Sequence, residues 1–143
     1  MKIVFSIVVV LILAVTLQSF NQNFDLKASI VRGKSVYNTQ CASCHMEEGN
    51  GIEGVFPTLI KSDYFTDKNR LVKVVTTGLR GPIVVNGVNY DGEMPATDLT
   101  DEQVADVLNY VRNSWGNEAK AVLPSEIQQA KKLLLKITKP INL

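Results

Sequence analysis

The sequence has little with which to do chemistry. Among its 143 residues there is one histidine, His45, and there are two cysteines, Cys41 and Cys44. A structural zinc site takes four ligands, usually as two cysteine or histidine pairs, and no fourth such side chain exists here. Charge of neither sign dominates: the formal net charge is +1, so no overall basicity points to nucleic acid. Gly49, Gly51 and Gly54 lie close together, but no Gly-Lys-Ser/Thr accompanies them, and a phosphate-binding loop is excluded. Long hydrophobic runs are scarce as well. Residues 3–17 form one, broken by Ser6 and Thr16, and it falls short of the ~20 apolar residues that a spanning helix needs. No internal repeat or low-complexity segment is visible. Part of the 45% hydrophobic content lies in that first run. What remains can build one small core, in a domain of about 100 residues with extensions.

What is there is concentrated in five residues, Cys41-Ala42-Ser43-Cys44-His45. This is C-x-x-C-H, the attachment signal for c-type haem. The spacing follows from the chemistry. Two thiols add across the two vinyl groups of the porphyrin, and two intervening residues set both sulfurs along one edge. The histidine that follows is carried under the iron as proximal ligand. A thioredoxin-like C-x-x-C reading expects a βαβ context with the motif at a helix start. Here the motif closes a helical pattern instead.

The leader fits that chemistry. Lys2 followed by the apolar run has the length of a signal-peptide core, although Gln18-Ser19-Phe20-Asn21 is a poor cleavage site. Residues 1–22 are therefore expected to be a signal peptide or an N-terminal membrane anchor. Residues 24–29 read as a linker, and residues 30–40 as a helix with Ile30, Gly33, Tyr37 and Cys41 on one face. Gly33 inside a helix costs ~1 kcal/mol against alanine, which calls for a close helix crossing. Residues 67–77 read as a helix capped by Asp67 or Thr66 and ended by Gly78, with Leu71, Val74 and Val75 as its stripe. Asn86-Gly87 between two β-prone runs predicts a tight hairpin over residues 83–90. An irregular loop over residues 91–95 is expected to follow it. Thr100 and Gln103 make a capping box for a helix running to about Trp115, with Val104, Val107, Leu108 and Val111 inside. A last helix is expected from about Leu123 to Ile137, apolar on one side and basic on the other, packed back on the domain.

The iron's sixth position needs a ligand or must stay open. No second histidine exists, Met1 belongs to the leader, and Met46 adjoins the proximal His45 on the wrong side. Elimination leaves Met94, stiffened by Pro95.

With these residues the chain resembles the class I c-type cytochromes over residues 28–117. The resemblance implies that Gly33 and Tyr37 pack against a C-terminal helix through Val107 and Tyr110. It implies that Pro57, twelve residues after His45, offers its carbonyl to the imidazole N–H, which orients the ring and raises its donor strength. The Asn-Gly hairpin before Met94-Pro95-Ala96, together with residues 109–117, looks like a bacterial subgroup. Its members are small exported cytochromes, or domains fused to or serving periplasmic dehydrogenases and nitrite reductases.

The expectation is thus an all-α, cytochrome c-like fold around one covalent haem c, with a small β-hairpin before the axial methionine. Residues 23–118 would form the haem domain and residues 119–143 a helical tail. Cys41, Cys44, His45, Met94 and Pro57 would hold the cofactor, with His45 and Met94 on the metal. The protein would carry electrons between a dehydrogenase, reductase or oxidase and another redox partner. It would work in the periplasm or on the outer face of the cytoplasmic membrane, with a possible tether through residues 1–20. The alternatives are the haem subunit of a periplasmic oxidoreductase complex and a redox enzyme whose Met94 loop moves aside for a small molecule. Between Cys41 and Asp106 there are eleven acidic and five basic residues. This is either an ordinary solvated surface or an acidic haem rim that steers a basic partner.

Overall fold

The structure, a computed structural model, describes residues 24–137. The expected leader, over residues 1–22, lies outside them. Six helical or strand elements carry the fold, with a short helix at the motif. Helix α1 spans Leu26–Gln40 and α2 Ala42–His45. A 3₁₀ turn at Asp63–Thr66 leads into α3, Lys68–Thr77. Strands β1, Leu79–Val85, and β2, Val88–Met94, pair as an antiparallel hairpin. Helices α4, Asp101–Val111, and α5, Pro124–Ile137, complete the chain. Among the described residues no helix is long and apolar enough to cross a membrane.

Helix α1 begins earlier than its apolar pattern, so the linker expected over residues 24–29 is mostly helix. Asp25 caps it by accepting from the Ala28 N–H at 3.0 Å. The face that α1 buries is Ser29, Gly33 and Tyr37, while Ile30 is only half-buried. Ser29 donates to Asp106 Oδ1 at 2.6 Å, and Arg32 reaches both Asp106 oxygens at 2.7 and 2.8 Å. Asn109 donates to Ser29 Oγ at 2.9 Å and exchanges two further bonds with the Val122 backbone. A polar patch therefore joins α1, α4 and the chain before α5. The close crossing anticipated from Gly33 is made here, since a Cβ on Gly33 would stand 1.9 Å from the Asp106 carbonyl oxygen.

Helix α4 is buried on every side from Val104 to Val111. Its start carries the Thr100–Gln103 capping box. It stops at Val111, short of the expected Trp115. Asn117 Nδ2 takes the Val111 carbonyl at 2.7 Å, and the chain turns through Trp115 at φ +53°. That turn brings Trp115 against Tyr37 and Tyr110, with all three ring centroids 5.2–5.3 Å apart. Such tilted and edge-on pairs add ~0.5–1.5 kcal/mol each beyond the area they bury.

Asp67 caps α3 through the Asn69 and Arg70 N–H groups, and Gly78 ends it. Val72, outside the expected stripe, is buried, while Val74 and Val75 turn toward a cavity. Helix α5 packs across α3 and α4 through Ile127 and Ala130. Ion pairs Lys68–Glu126 and Lys131–Asp101 fasten its two sides.

The hairpin is longer than expected, and residues 91–94 are strand rather than loop. Asn86 and Gly87 hold φ of +50° and +82°, the two left-handed positions of a type I′ turn. The register runs from Val85↔Val88 out to Leu79↔Met94. Both strands are edges, so Pro82, opposite Asp91, removes no required ladder bond.

Candidate functional site

Helix α1 delivers the motif. Its last turn ends at Cys41, whose N–H donates to the Tyr37 carbonyl at 2.8 Å. The Cys44 and His45 N–H groups then return to the Cys41 carbonyl, at 3.2 and 2.9 Å. Both thiols are free and half-buried. Burial, and then the neighbouring Cys44, push the Cys41 thiol up to about 11, so it is undissociated at neutral pH. Met46 follows at φ +62°, and its carbonyl accepts the Tyr37 hydroxyl at 2.5 Å. Tyr37 thereby fixes where the motif leaves the helix.

The following segment folds back over His45. Gly51 N–H donates to the His45 carbonyl at 3.0 Å, Leu59 N–H to the Gly49 carbonyl at 2.7 Å, and Ile52 bridges Phe56. A Cβ on Gly51 would lie 2.2 Å from the Phe56 carbonyl oxygen and 2.7 Å from that of Pro57. Only glycine lets the two sides close. The result is that the Pro57 carbonyl oxygen stands 2.9 Å from His45 Nδ1. A carbonyl only accepts, so Nδ1 carries the proton and Nε2 keeps its lone pair. Burial lowers the His45 pKa, and the bond to Pro57 raises it by less. The ring is therefore held neutral.

The hairpin contributes Met94 to the cavity that His45 lines. Alternation puts Leu79, Gly81, Ile83 and Val85 of β1, and Tyr90, Gly92 and Met94 of β2, on one face. Beyond Met94, Thr97 binds the Val75 carbonyl through its N–H at 3.1 Å and its hydroxyl at 2.9 Å. The Met94-Pro95 segment is thus pinned to α3. Cys41, Cys44, His45, Pro57 and Met94, spread over 54 positions of sequence, all line one cavity of about 280 Å³. Its wall is otherwise mainly aliphatic and aromatic, with α4 supplying Val107, Leu108 and Val111.

A haem fits this donor set. The cavity is apolar, and it offers an imidazole with a free Nε2, a thioether and two thiols. No group of three or more His, Cys, Asp or Glu side chains that could hold a bare metal ion occurs among the described residues. That is unlike a zinc centre.

Sequence reasoning did not find Ser29, Arg32, Asp106 and Asn109, which lock the helices around the site. Asp106 and Asn109, three apart inside an apolar run, were the available signal. Asn117 was also missed as a tie. It bonds the Leu59 and Val111 carbonyls and the Lys61 N–H, linking the segment after Pro57 to the end of α4. Of the acids expected on the rim, Glu93 lines the cavity but is paired with Arg80 at 2.6 Å, both largely exposed.

Comparison with known proteins gives the same picture. The family model described as Cytochrome c matches residues 30–115. Cytochrome c-552 of Thermus thermophilus is 35% identical over 133 residues, covering 87% of this chain and 89% of that protein. The gluconate 2-dehydrogenase cytochrome c subunit of Pantoea cypripedii is 37% identical over 99 residues, which is 66% of this chain and 22% of the subunit. The cytochrome c subunit of a quinone-type alcohol dehydrogenase from Gluconobacter oxydans is 36% identical over 102 residues, or 68% and 21% respectively.

Proposed function

Because the chain belongs to the cytochrome c family, with its one covalent haem c, we propose that Cys41 and Cys44 form the two thioether bonds and that His45 and Met94 are the axial ligands. When bound, the haem supplies an iron that alternates between ferrous and ferric. The protein's part is to hold that iron with both axial positions filled. Pro57 orients His45, burial keeps the ring neutral against that bond, and the apolar wall disfavours the extra charge of the ferric form. The thioether favours the ferrous form, so the potential is high relative to a bis-histidine site.

The observation that carries this reading is the convergence of an imidazole and a thioether on one apolar cavity, each positioned by its own backbone ties. Such a site has no coordination position for a substrate. The protein is therefore an electron carrier and not an enzyme in its own right. We assign residues 23–118 to the haem domain and residues 119–143 to an extension, whose helix α5 braces α3 and α4. Haem c chemistry and the leader expected at residues 1–22 support an exported location, in the periplasm or tethered to the outer face of the membrane.

A second reading concerns the partner. Relatives of which this chain covers about a fifth are cytochrome subunits of dehydrogenases, which supports a dehydrogenase as electron donor. The test is redox titration of matured protein. One-electron Nernstian behaviour, with a ferric form slow to take up cyanide, is expected. Rapid cyanide binding together with saturable turnover of peroxide would assign an enzyme instead.

A further inference from the structure

Nine glycines occur in the sequence. Seven hold left-handed φ values, a backbone that other residues rarely adopt. An eighth, Gly33, lies against the Asp106 backbone. Gly92 has neither reason. Its φ is not left-handed, and a Cβ built on it meets no heavy atom within 4 Å. Glycine weakens a strand, and β-branched residues strengthen one. The polypeptide alone therefore gives no account of glycine at this position.

Its surroundings give one. Gly92 stands opposite Gly81, between the rung Ile83↔Tyr90 and the rung Leu79↔Met94. All six residues line the cavity that holds His45 and Met94. The middle rung presents no side chain to the cavity, next to the rung that presents Met94.

We propose that Gly92 is a haem-positioning residue: the space a side chain would take there is filled by the bound cofactor, and the bare rung lets β2 come close enough for Met94 to reach the iron. This rests on the reading that haem fills the cavity with Met94 as its ligand. A side chain at position 92 pushes the cofactor and β2 apart and lengthens the sulfur–iron bond. The effect grows with side-chain size, opposite to strand propensity, which favours valine over alanine.

The experiment compares matured wild-type protein with Gly92→Ala, Gly92→Val and, on the outward face of the same strand, Asn89→Val. The readouts are the far-red absorption of sulfur-ligated ferric haem, the midpoint potential, the rate of cyanide binding and the thermal midpoint of the holoprotein. The band, the potential and the thermal midpoint should fall from wild type to alanine to valine. Cyanide should bind Gly92→Val at least about tenfold faster, the rate effect of ~1.4 kcal/mol. Asn89→Val should match wild type. Loss of all holoprotein in Gly92→Val, with Asn89→Val maturing normally, supports the proposal too. Wild-type values in Gly92→Val, or a raised thermal midpoint, overturn it. If wild-type protein itself lacks the far-red band, the Met94 ligation is what fails. Gly92 is then judged on the thermal midpoint alone, where a graded fall supports haem contact and a rise rejects it.

Discussion

Leu79 and Met94 face each other across the first rung of the hairpin, so the residue that closes β2 is held by β1 and not by a free loop. The thioether is thereby placed by a hydrogen-bonded ladder, by Pro95 behind it and by Thr97 on the Val75 carbonyl. Replacing Met94 with alanine should abolish the far-red band, lower the potential and speed cyanide binding. Absorption spectra and stopped-flow mixing check all three. An unchanged spectrum would mean that another group holds the sixth position.

Covalent attachment is the more basic expectation. Protein matured in a host that makes haem c should keep its haem through denaturation and acid-solvent extraction. Cys41→Ala with Cys44→Ala should lose retention and, with the apolar body of the core gone, most of the stable fold. Haem released in full from the wild-type protein would contradict the thioether assignment.

Asp106 and Asn109 are the two polar side chains of the core that each make three hydrogen bonds, and Asp106 is the charged one. Its exposure is 3%, and it takes bonds from Ser29 and from two nitrogens of Arg32. Asp106→Ala should cost about 2–4 kcal/mol, because it strands buried donors and removes charge-assisted bonds. Arg32→Ala should cost about 2 kcal/mol or more although its own side chain is 48% exposed, because it leaves the 4%-exposed Asp106 carboxylate without its counter-ion. Urea unfolding of the holoproteins measures both.

The clasp between α3 and α5 should depend on pH. The Lys68 ammonium holds the Glu126 carboxyl below its ordinary 4.5, with the Leu123 N–H helping and partial burial opposing. A depressed carboxyl contributes stability above its ordinary value and loses it as pH falls through the folded-state value. Glu126→Gln should therefore lower stability at neutral pH by on the order of 1 kcal/mol, since the pair is part-exposed. The difference from wild type should vanish in strong acid. Denaturant midpoints at neutral and acid pH decide it, and a constant difference would exclude the ionised carboxyl as the cause.

Partner recognition yields a kinetic expectation. With Glu93 offset by Arg80, the exposed Glu47, Glu48 and Glu53 of the segment after the motif, and Asp91 and Asp98 on either side of Met94, are left to attract a basic partner. Glu47→Lys with Glu48→Lys should slow electron exchange with such a partner by about tenfold at low salt. The effect should fade as the Debye length shrinks to ~8 Å at physiological salt, and the potential should stay nearly unchanged. A rate indifferent to both changes would reject the acidic-rim idea.

The site was largely legible in the sequence because its chemistry is tied to scarce residues. One histidine, one C-x-x-C and one unclaimed methionine leave few arrangements. Helix starts were readable where a side chain caps them, as at Asp67 and Thr100. Ends and extensions were less so. The end of α4 depends on Asn117 and the positive φ of Trp115, and the reach of β2 to Met94 depends on pairing with residues 79–82. These are tertiary effects, and a glycine-containing run such as 91–94 looks irregular until its partner strand is known. The start of α1 was hidden for a related reason. Ser29 is polar by type, and only its bonds with Asp106 and Asn109 explain its burial.

The Ser29–Asp106 bond joins positions 77 apart, and the segment it encloses carries both thiols, His45 and Met94. Closing a loop of that length costs about 4 kcal/mol of chain entropy, which the α1–α4 crossing must offset. Once it is closed, lengthening the enclosed segment is cheap, since even a doubling adds only ~0.6 kcal/mol. Insertions between His45 and Pro57 or at the Asn86-Gly87 tip should thus leave the helical frame standing. Length can accordingly change around the haem without parting α1 from α4, although an insertion between His45 and Pro57 would separate the imidazole from the carbonyl that orients it.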